Sequence, residues 1–516
     1  MENHLWSLVV FGLPFLLGSL YLLLSSWNQS RRRRHRLLPG PTAYPMIGNL
    51  FWLWKSHGDL ETIVRGLKHK YGDIITLQFG RLPTIIVSNR ILAHKFLIDH
   101  DAIFASRVSS AAGVHLMRDN RFLISSSKYG PVWRLLRGNL VSGIFHPSRS
   151  NIYLEARKWA VGIALDTIKK KSDGGEEVVV VMEVFRLAMF RFLSLMCFGK
   201  KLDDNTLKEI EIAQREFIMY FGKLKLFSFF PKKMIPYLFP QRLNKIMELR
   251  SRMMEIFQPL INSRRAKKIT TENCLDLEYC YMDSLVDLEF PVGCFDDGSS
   301  SRTKLNDDEI IGLCIEFLTN GIDTTSTMLQ WIMANLVKHQ HIQHKLFQEI
   351  KTVGAGVEEI QDEHLQQMPY LKAVVMEGLR RHPPGYFILG HAVTQDIVVD
   401  GYFIPENAAI VFFVEDIGMD DRVWKDPHDF NPERFLEEEI DLTCKREIKM
   451  MPFGAGRRIC PALRLSLLYL QYFVANLIGT FQWNQIDGEE IDLSPKKKIT
   501  LDMKTPLRSR VTMHKS

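Results

Sequence analysis

The chain has few cysteines, and they lack the spacing of a disulfide framework or a structural zinc site. The seven cysteines among 516 residues are odd in number and irregularly spaced, and no C-x-x-C pair occurs. Both kinds of site are therefore poorly supported. We expect the folded part of the chain to face a reducing compartment.

Outside one short cluster, the chain also has little excess of positive charge. The net charge of +7 falls to +2 when the five arginines at 31–34 and 36 are set aside. A stripe of basic residues that could follow phosphates is thus lacking, and nucleic-acid binding is not expected. A repeat of fixed period and a flavin or nicotinamide fingerprint are lacking as well.

What the chain does have at its start is a long apolar run without charge. Residues 5–30 contain no charged side chain, and crossing a bilayer takes about 20 helical residues. The cluster RRRRHR follows this run, which favours a retained anchor over a cleaved signal peptide and keeps that end in the cytosol. The sequence predicts a transmembrane signal anchor over 1–30, a basic and proline-rich hinge over 31–45, and one large cytosolic domain over 46–516.

Helical patterning dominates that domain. Residues 72–88 alternate like two strands joined by a turn, and 397–405 and 408–415 are shorter strand-like runs. A long helix is predicted from Asn306 to about Lys338, with Asn306 and Glu309 as its capping box. Residues 290–304 are the best candidate for an exposed loop. The fold class predicted is mainly α with small β-sheets.

Residues 216–240 are unusually aromatic and basic. This stretch holds eight aromatic residues among four lysines. It is either the core face of a helix followed by a loop, or a second contact with the membrane surface, where aromatics enter the interface and lysines meet anionic headgroups.

A lone cysteine stands in the stretch PFGAGRRICPAL, residues 452–463. Cys460 precedes an apolar helical pattern, and Pro461 suits the first helical position, so the helix N-terminus is expected to lower the thiol pKa. Gly454 and Gly456 allow a tight loop around the sulfur. Such a thiolate is either a nucleophile or a soft metal ligand. A nucleophile needs a histidine base, which no local pattern supplies, and the other option is an axial ligand of haem iron.

The pattern F-x-x-G-x-R-x-C, formed by Phe453, Gly456, Arg458 and Cys460, resembles the cytochromes P450, and the resemblance extends over nearly the whole chain. It implies the P450 fold and haem b with Cys460 as the proximal iron ligand. It further implies that Phe453 shields the sulfur and that Arg458 pairs with a haem propionate. The family's usual glycine two residues after the cysteine is Ala462 here.

The same resemblance assigns roles on the long helix. It implies that Asp323 and Thr324 form an acid–alcohol pair that delivers protons to bound dioxygen. Asn320 stands where the family usually has alanine or glycine, so it either enters the pocket as a polar contact or rotates away from it.

Further residues of the haem site follow from the family pattern. Trp133 and Arg137 are expected to reach the haem propionates, and His391 matches a position that contacts the other propionate. The resemblance also implies a buried structural network that locks the cysteine loop, formed by Glu377, Arg380 and Arg434.

By this resemblance the protein is a plant microsomal monooxygenase in the endoplasmic reticulum membrane, crossing it once. It is expected to insert one oxygen atom of O2 into a largely apolar small molecule, with electrons from NADPH–cytochrome P450 reductase. Segments resembling the family's substrate contacts are 104–122, 210–240, 314–324 and 384–391. The resemblance suggests chlorophyll breakdown products, and fatty acids, terpenoids and phenylpropanoids stay open.

Two other functions compete with this interpretation. One is a P450-fold isomerase or dehydratase of hydroperoxides, which needs neither reductase nor dioxygen. The other is a membrane-anchored haem or lipid binder without turnover. The intact pair Asp323–Thr324 argues against both.

Overall fold

The part of the chain that the computed structural model describes begins after the predicted anchor. It covers residues 38–44, 48–50, 60–80, 82–108, 122–173, 178–222, 235–266, 275–291, 294, 303–355, 360–496 and 500–514. The transmembrane segment predicted over 1–30 lies outside these residues, as does most of the hinge. Within the described ranges, no helix combines the length and apolar character needed to cross a bilayer.

Helices form most of the regular structure, as predicted. They are α1 Leu60–Tyr71, α2 Arg90–His94, α3 Asp101–Phe104, α4 Pro131–Gly138, α5 Leu154–Asp173, α6 Val181–Phe198, α7 Asp204–Gly222, α8 Ile235–Leu238, α9 Pro240–Arg265, α10 Tyr281–Val286, α11 Asp307–Lys338, α12 Gln340–Val353, α13 Asp362–Leu365, α14 Pro369–Arg381, α15 Val414–Gly418, α16 Arg434–Glu437 and α17 Leu463–Thr480. Shorter helical turns of 3-10 or π type are Lys95–Asp99, Asn139–Ile144, Pro147–Tyr153 and Gly456–Arg458.

The strands are short and form small sheets. They are β1 Ile74–Phe79, β2 Leu82–Val87, β3 Ser106–Arg107, β4 Val178–Val180, β5 His391–Ala392, β6 Ile397–Val399, β7 Tyr402–Ile404, β8 Ala409–Phe412, β9 Phe481–Asn484, β10 Pro495–Lys496, β11 Asp502–Met503 and β12 Arg508–Met513. The strand pair predicted over 72–88 is confirmed as the antiparallel hairpin β1–β2. The single strand-like run predicted over 397–405 forms two strands, the antiparallel hairpin β6–β7, and the run predicted over 408–415 contains β8.

One sheet of five strands brings distant parts of the chain together. Its order is β1-β2-β8-β5-β3, with β2 and β8 parallel and the other neighbours antiparallel. In its β3–β5 pair, Arg107 lies directly opposite His391. The remaining sheets are β4-β12-β9, β10-β11 and β6-β7.

The long helix α11 runs through the main core. The predicted capping box is confirmed: Glu309 N–H donates to Asn306 Oδ1 at 2.9 Å, and Asn306 N–H donates to Glu309 Oε2 at 2.8 Å. The helix packs closely on α6, because a Cβ added at Gly321 would lie 2.7 Å from Leu193 Cδ1. Most of its C-terminal half, from Thr325 to Val337, is buried.

Two predicted segments are described only in part. Helix α7 extends to Gly222, so the aromatic stretch over 216–240 begins as a helix, and its residues 223–234 lie outside the described ranges. Beyond that gap, Tyr237 is 86% exposed. Most of the loop predicted over 290–304 also lies outside the described ranges.

Candidate active site

Cys460 ends a tight loop that packs against the turn Lys95–Asp99. Its backbone N–H donates to the carbonyl of Phe453 at 2.8 Å. Gly456 has φ +68°, and a Cβ there would lie 2.0 Å from the carbonyl oxygen of Leu97. Only glycine fits both the left-handed backbone and this close approach. Gly456 therefore fixes the backbone path of the loop and, with it, the position of the Cys460 sulfur.

The expectation of a lowered thiol pKa is wrong for the protein without a bound group. Helix α17 begins at Leu463, two residues after Pro461, so the sulfur does not sit directly on a helix N-terminus. Burial raises the pKa of the Cys460 thiol, and the Ala462 N–H and Arg137 lower it by less. A metal ion bound to the sulfur is what deprotonates such a thiol.

Three arginines, here called the cationic cluster, lie in or beside this loop: Arg458 belongs to the loop, and Arg107 and Arg137 are its neighbours. Arg458 Cζ lies 4.2 Å from the centre of the Trp133 ring, and Arg137 Cζ lies 6.0 Å from it. Arg137 also donates to the carbonyl of Ile459, next to the cysteine. The structure thus brings the predicted residues Trp133, Arg137 and Arg458 together beside Cys460.

The positive charges of the cationic cluster are only partly balanced: the Glu316 carboxylate acts on Arg458, and three guanidiniums face that one acid. Among the described residues, none of the three arginines forms an ion pair with a carboxylate. Burial and the neighbouring guanidiniums lower the pKa of Arg458 to about 9 and that of Arg107 to about 10. An acidic group placed among them would relieve this repulsion. Two carboxylates on one ligand, such as the haem propionates, fit this arrangement.

His391 lies beside the cationic cluster, opposite Arg107 in the β3–β5 pair. Its Nδ1 lies 2.6 Å from the carbonyl oxygen of Phe104 and donates to it, and the residue is 2% exposed. Burial, followed by the charge of Arg107, lowers the pKa of His391 to about 3. The structure therefore places the predicted histidine at the cluster, opposite Arg107.

Arg107 and Glu316 are site residues that the sequence analysis missed. Arg107 Nε donates to the carbonyl of Ser125 at 2.9 Å. Glu316 Oε1 accepts from the N–H of Ser125 at 2.7 Å, and Glu316 Oε2 accepts from that of Ile124 at 2.8 Å. The antiparallel pairing of β3 with β5 is the signal for Arg107, and it is visible only in the fold.

Phe453 is partly buried and packs beside the buried side chains Met376, Trp424 and Met450. It contributes its carbonyl to the N–H of Cys460, as described above. Trp424 Nε1 donates to the carbonyl of Lys449 at 3.2 Å. This bond connects the apolar group to the backbone segment that leads into the cysteine loop.

The predicted network of Glu377, Arg380 and Arg434 is confirmed. Arg380 Nε lies 2.7 Å from Glu377 Oε2, and Arg434 Nε lies 3.3 Å from Glu377 Oε1. Arg380 also donates to the carbonyls of Gly418 and Pro427, and Arg434 to that of Lys425. The network therefore joins α14 to the segment that precedes the cysteine loop.

Asp323 and Thr324 lie in the middle of α11, and their side chains have different partners. Thr324 Oγ1 donates to the carbonyl of Asn320 at 2.5 Å, a bond back to the preceding turn of the helix. Asp323 Oδ1 pairs with Arg186 of α6 at 2.6 Å, and 37% of the Asp323 side chain is exposed. Asn320 is exposed, which leaves the two interpretations of its side chain open.

A cavity of about 70 Å³ lies beside the first turns of α11. Its lining includes Phe122, Phe217 and Ile315, one from each of three segments predicted to contact substrate. The fourth such segment, 384–391, places His391 beside the cationic cluster. A larger cavity of about 760 Å³ lies elsewhere, at Trp331 and His382. Its lining includes Tyr386 of the fourth segment and none of the residues predicted to act in catalysis or to bind the cofactor.

Comparison with known proteins assigns this architecture. A family model described as Cytochrome P450 matches residues 38–510. Cytochrome P450 89A9 of Arabidopsis thaliana is 42% identical over 487 residues, which cover 92% of this chain and 94% of that protein. Geraniol 8-hydroxylase of Catharanthus roseus is 31% identical over 94% of this chain and 96% of its own. Cytochrome P450 71A1 of Persea americana is 29% identical over 98% of this chain and 100% of its own.

Proposed function

This chain belongs to the cytochrome P450 family of haem-thiolate monooxygenases, and we propose from that premise that it oxidises a sizeable, largely apolar small molecule. One atom of O2 enters the substrate, and the other leaves as water. The electrons come from NADPH through the membrane-bound NADPH–cytochrome P450 reductase. The observation that carries the proposal is the only partly balanced charge of the cationic cluster at the Cys460 loop.

The residues present fit haem b. Cys460 would supply the thiolate ligand to iron, with the Ala462 N–H as a hydrogen-bond donor to the sulfur. The cationic cluster, with Trp133 and neutral His391, would hold the two acid groups at the edge of the macrocycle. Bound through a cysteine thiolate, haem supplies the activation of dioxygen.

The chain's own part in the reaction is to move protons. Asp323 is partly exposed and lies next in sequence to Thr324, so it can take a proton from solvent on the α6 side of the helix. Thr324 holds a hydroxyl proton, at present donated to the Asn320 carbonyl. We infer that the pair passes protons inward one at a time, because a carboxylate and a hydroxyl in sequence serve as general acids.

One side of the small cavity supports an apolar substrate class. Phe122, Phe217, Met253 and Ile315 form an apolar wall that can bind apolar surface, while charged side chains, among them Arg250 and Asp308, line another part. At about 70 Å³ the cavity holds only part of a sizeable ligand. The printed name of one relative, geraniol 8-hydroxylase, indicates a terpenoid alcohol as the substrate of that protein. Terpenoids are accordingly one class to screen here, beside fatty acids, phenylpropanoids and chlorophyll breakdown products.

Membrane and partner contacts complete the proposal. The uncharged run over 5–30 is the signal anchor in the endoplasmic reticulum membrane, with the catalytic domain in the cytosol. Tyr237, 86% exposed, supports a second contact with the membrane surface.

Arg457 and Arg464 are exposed at the Cys460 loop and suit the docking of an acidic reductase.

The first test is the carbon monoxide difference spectrum of the dithionite-reduced, membrane-expressed full chain beside Cys460→Ser. A long-wavelength Soret band that disappears in the variant is the expected result. A folded wild type without this band, or a band that survives the substitution, would contradict the proposal.

Consumption of NADPH by the protein reconstituted with reductase and candidate substrates separates the two rival functions. A monooxygenase consumes NADPH and O2 with substrate. A hydroperoxide isomerase turns over without either, and a non-catalytic haem or lipid binder shows no substrate-dependent consumption.

A further inference from the structure

We propose that Glu316 is a positioning residue for haem, which holds in place the segment whose carbonyls orient the cationic cluster. This segment, residues 122–127, is here called the anchor segment. The proposal rests on the haem-binding role proposed above for Arg107, Trp133 and Arg458.

Both oxygens of the Glu316 carboxylate bind the anchor segment. They accept from the consecutive backbone amides of Ile124 and Ser125, at 2.8 Å and 2.7 Å. An ionised carboxylate is acceptor-only and matches two adjacent N–H donors. One side chain of α11 therefore holds the backbone of the anchor segment with two hydrogen bonds. The same helix carries Asp323 and Thr324.

The same segment turns its carbonyls toward the cationic cluster. The carbonyl of Ile124 accepts from Trp133 Nε1 and from Arg458 Nη1, each at 3.0 Å. The carbonyl of Ser125 accepts from Arg107, and that of Ser127 accepts from Arg458 Nη2 at 2.6 Å. Three of the proposed haem contacts thus share one short stretch of backbone.

The anchor segment has little internal structure that would place these carbonyls unaided. It consists of turns, with one backbone bond of its own from Ser127 N–H to Leu123 O at 3.0 Å. Its orientation therefore depends on groups outside it. On the α11 side, Glu316 accepts the hydrogen bonds that the segment's amides donate. On the other side, Arg107 and Arg458 donate hydrogen bonds to the segment's carbonyls.

Charge favours the same arrangement. The Glu316 carboxylate raises the pKa of Arg458, against the lowering by burial and by the other two arginines. Burial raises the pKa of Glu316, and the amides of Ser125 and Ile124 and the charge of Arg458 oppose that rise. Without the Glu316 carboxylate, the three arginines repel one another more strongly, and the carbonyls of the anchor segment that they bind are less well ordered.

The test compares the rate of haem transfer to excess apomyoglobin from the full-length, haem-loaded protein in four forms: wild type, Glu316→Gln, Glu316→Asp and Glu309→Gln. A glutamine has one acceptor oxygen, so Glu316→Gln loses one of the two amide bonds and the charge. We expect it to lose haem about tenfold faster than wild type, the size of effect of a lost charge-assisted bond. Glu316→Asp retains the carboxylate and is expected to fall between the two.

Glu309→Gln is the matched control. Glu309 lies on the same helix, is buried, and accepts a backbone N–H at the helix start, away from the cluster. We expect its haem-loss rate to stay within about twofold of wild type, even if its unfolding temperature falls.

Each outcome decides the matter. Equal haem loss in Glu316→Gln and wild type, or equal acceleration in Glu316→Gln and Glu309→Gln, would reduce Glu316 to an ordinary stabilising residue and overturn the inference alone. If Glu316→Gln does not fold, Glu316→Asp against Glu309→Gln decides on the same criterion. A wild type without the long-wavelength carbon monoxide band would overturn the proposed function, and this inference with it.

Discussion

Glu377 and Arg380 form a bidentate ion pair in which neither side chain has any exposed surface. Arg380 Nε lies 2.7 Å from Glu377 Oε2, and Nη2 lies 2.8 Å from Oε1. Glu377→Gln removes the charge and leaves the buried guanidinium of Arg380 and the partly buried one of Arg434 without an anion. We expect the free energy of unfolding to fall by about 3–5 kcal/mol, as for a broken buried pair. Urea titration followed by haem absorbance measures it.

An exposed pair supplies the control for this prediction. Lys372 and Glu439 lie 3.2 Å apart with 56% and 85% of their side chains exposed. Glu439→Gln is expected to change the free energy of unfolding by less than about 1 kcal/mol. A similar loss in both variants would show that burial of the first pair contributes nothing.

The buried His391 predicts acid lability. Its pKa is lowered from 6.5 to about 3, so the folded state resists a proton that the unfolded state accepts. Stability is therefore lost as pH falls from about 6.5 toward 3, with a slope of about 1.4 kcal/mol per pH unit for one proton. His391→Asn keeps a donor for the Phe104 carbonyl and is expected to reduce the slope by one proton. Urea titrations between pH 4 and pH 7 measure this difference.

His382 limits how far that slope can fall. Burial lowers its pKa as well, so His391→Asn retains the part of the acid sensitivity that His382 contributes. The exposed His341→Asn serves as control and is expected to keep the wild-type slope. An unchanged slope in His391→Asn would show that His391 gains a proton as readily in the folded protein as in the unfolded chain.

Local sequence patterns predicted the parts of the site whose residues are close in the chain. The Cys460 loop, the capping box of α11 and the Glu377–Arg380 pair each depend on spacings of a few residues. Arg107 and Glu316 gave no such signal. Glu316 finds its partners 192 and 191 residues away, and Arg107 meets His391 only through strand pairing.

The thiol pKa was mispredicted for a different reason. A helix N-terminus and glycine-rich amides can be read from sequence, and both favour thiolate. The burial of the sulfur, which depends on the whole fold, acts in the opposite direction and is the larger effect. Cys460 as a residue keeps some exposed surface, and a sequence indicates which groups are near its thiol but not how densely the fold surrounds it.

Two glycines of the cysteine loop differ in what surrounds them. Gly454 and Gly456 both have positive φ, but a Cβ at Gly454 would meet nothing nearer than Ile388 Cγ2 at 3.9 Å. Gly454→Ala is expected to cost about 1–2 kcal/mol of stability, the left-handed penalty. Gly456→Ala adds a Cβ 2.0 Å from the Leu97 carbonyl and is expected to abolish haem incorporation. The haem content of the purified variants measures this, and equal content would contradict the packing argument.

Thr324 allows a prediction that separates proton delivery from helix stability. Thr324→Ala removes the hydroxyl beside Asp323 and is expected to lower product formation by about 10²-fold or more, because positioned proton transfer contributes about 10²–10⁴-fold. NADPH consumption should persist, with the electrons diverted to peroxide, and Thr324→Ser should recover coupling. The control is Thr352→Ala, which removes an equivalent bond, from Thr352 Oγ1 to the carbonyl of Gln348 at 2.8 Å, on an exposed helix face. If the ratio of product to NADPH consumed changes equally in both variants, Thr324 acts on the helix and not on the proton.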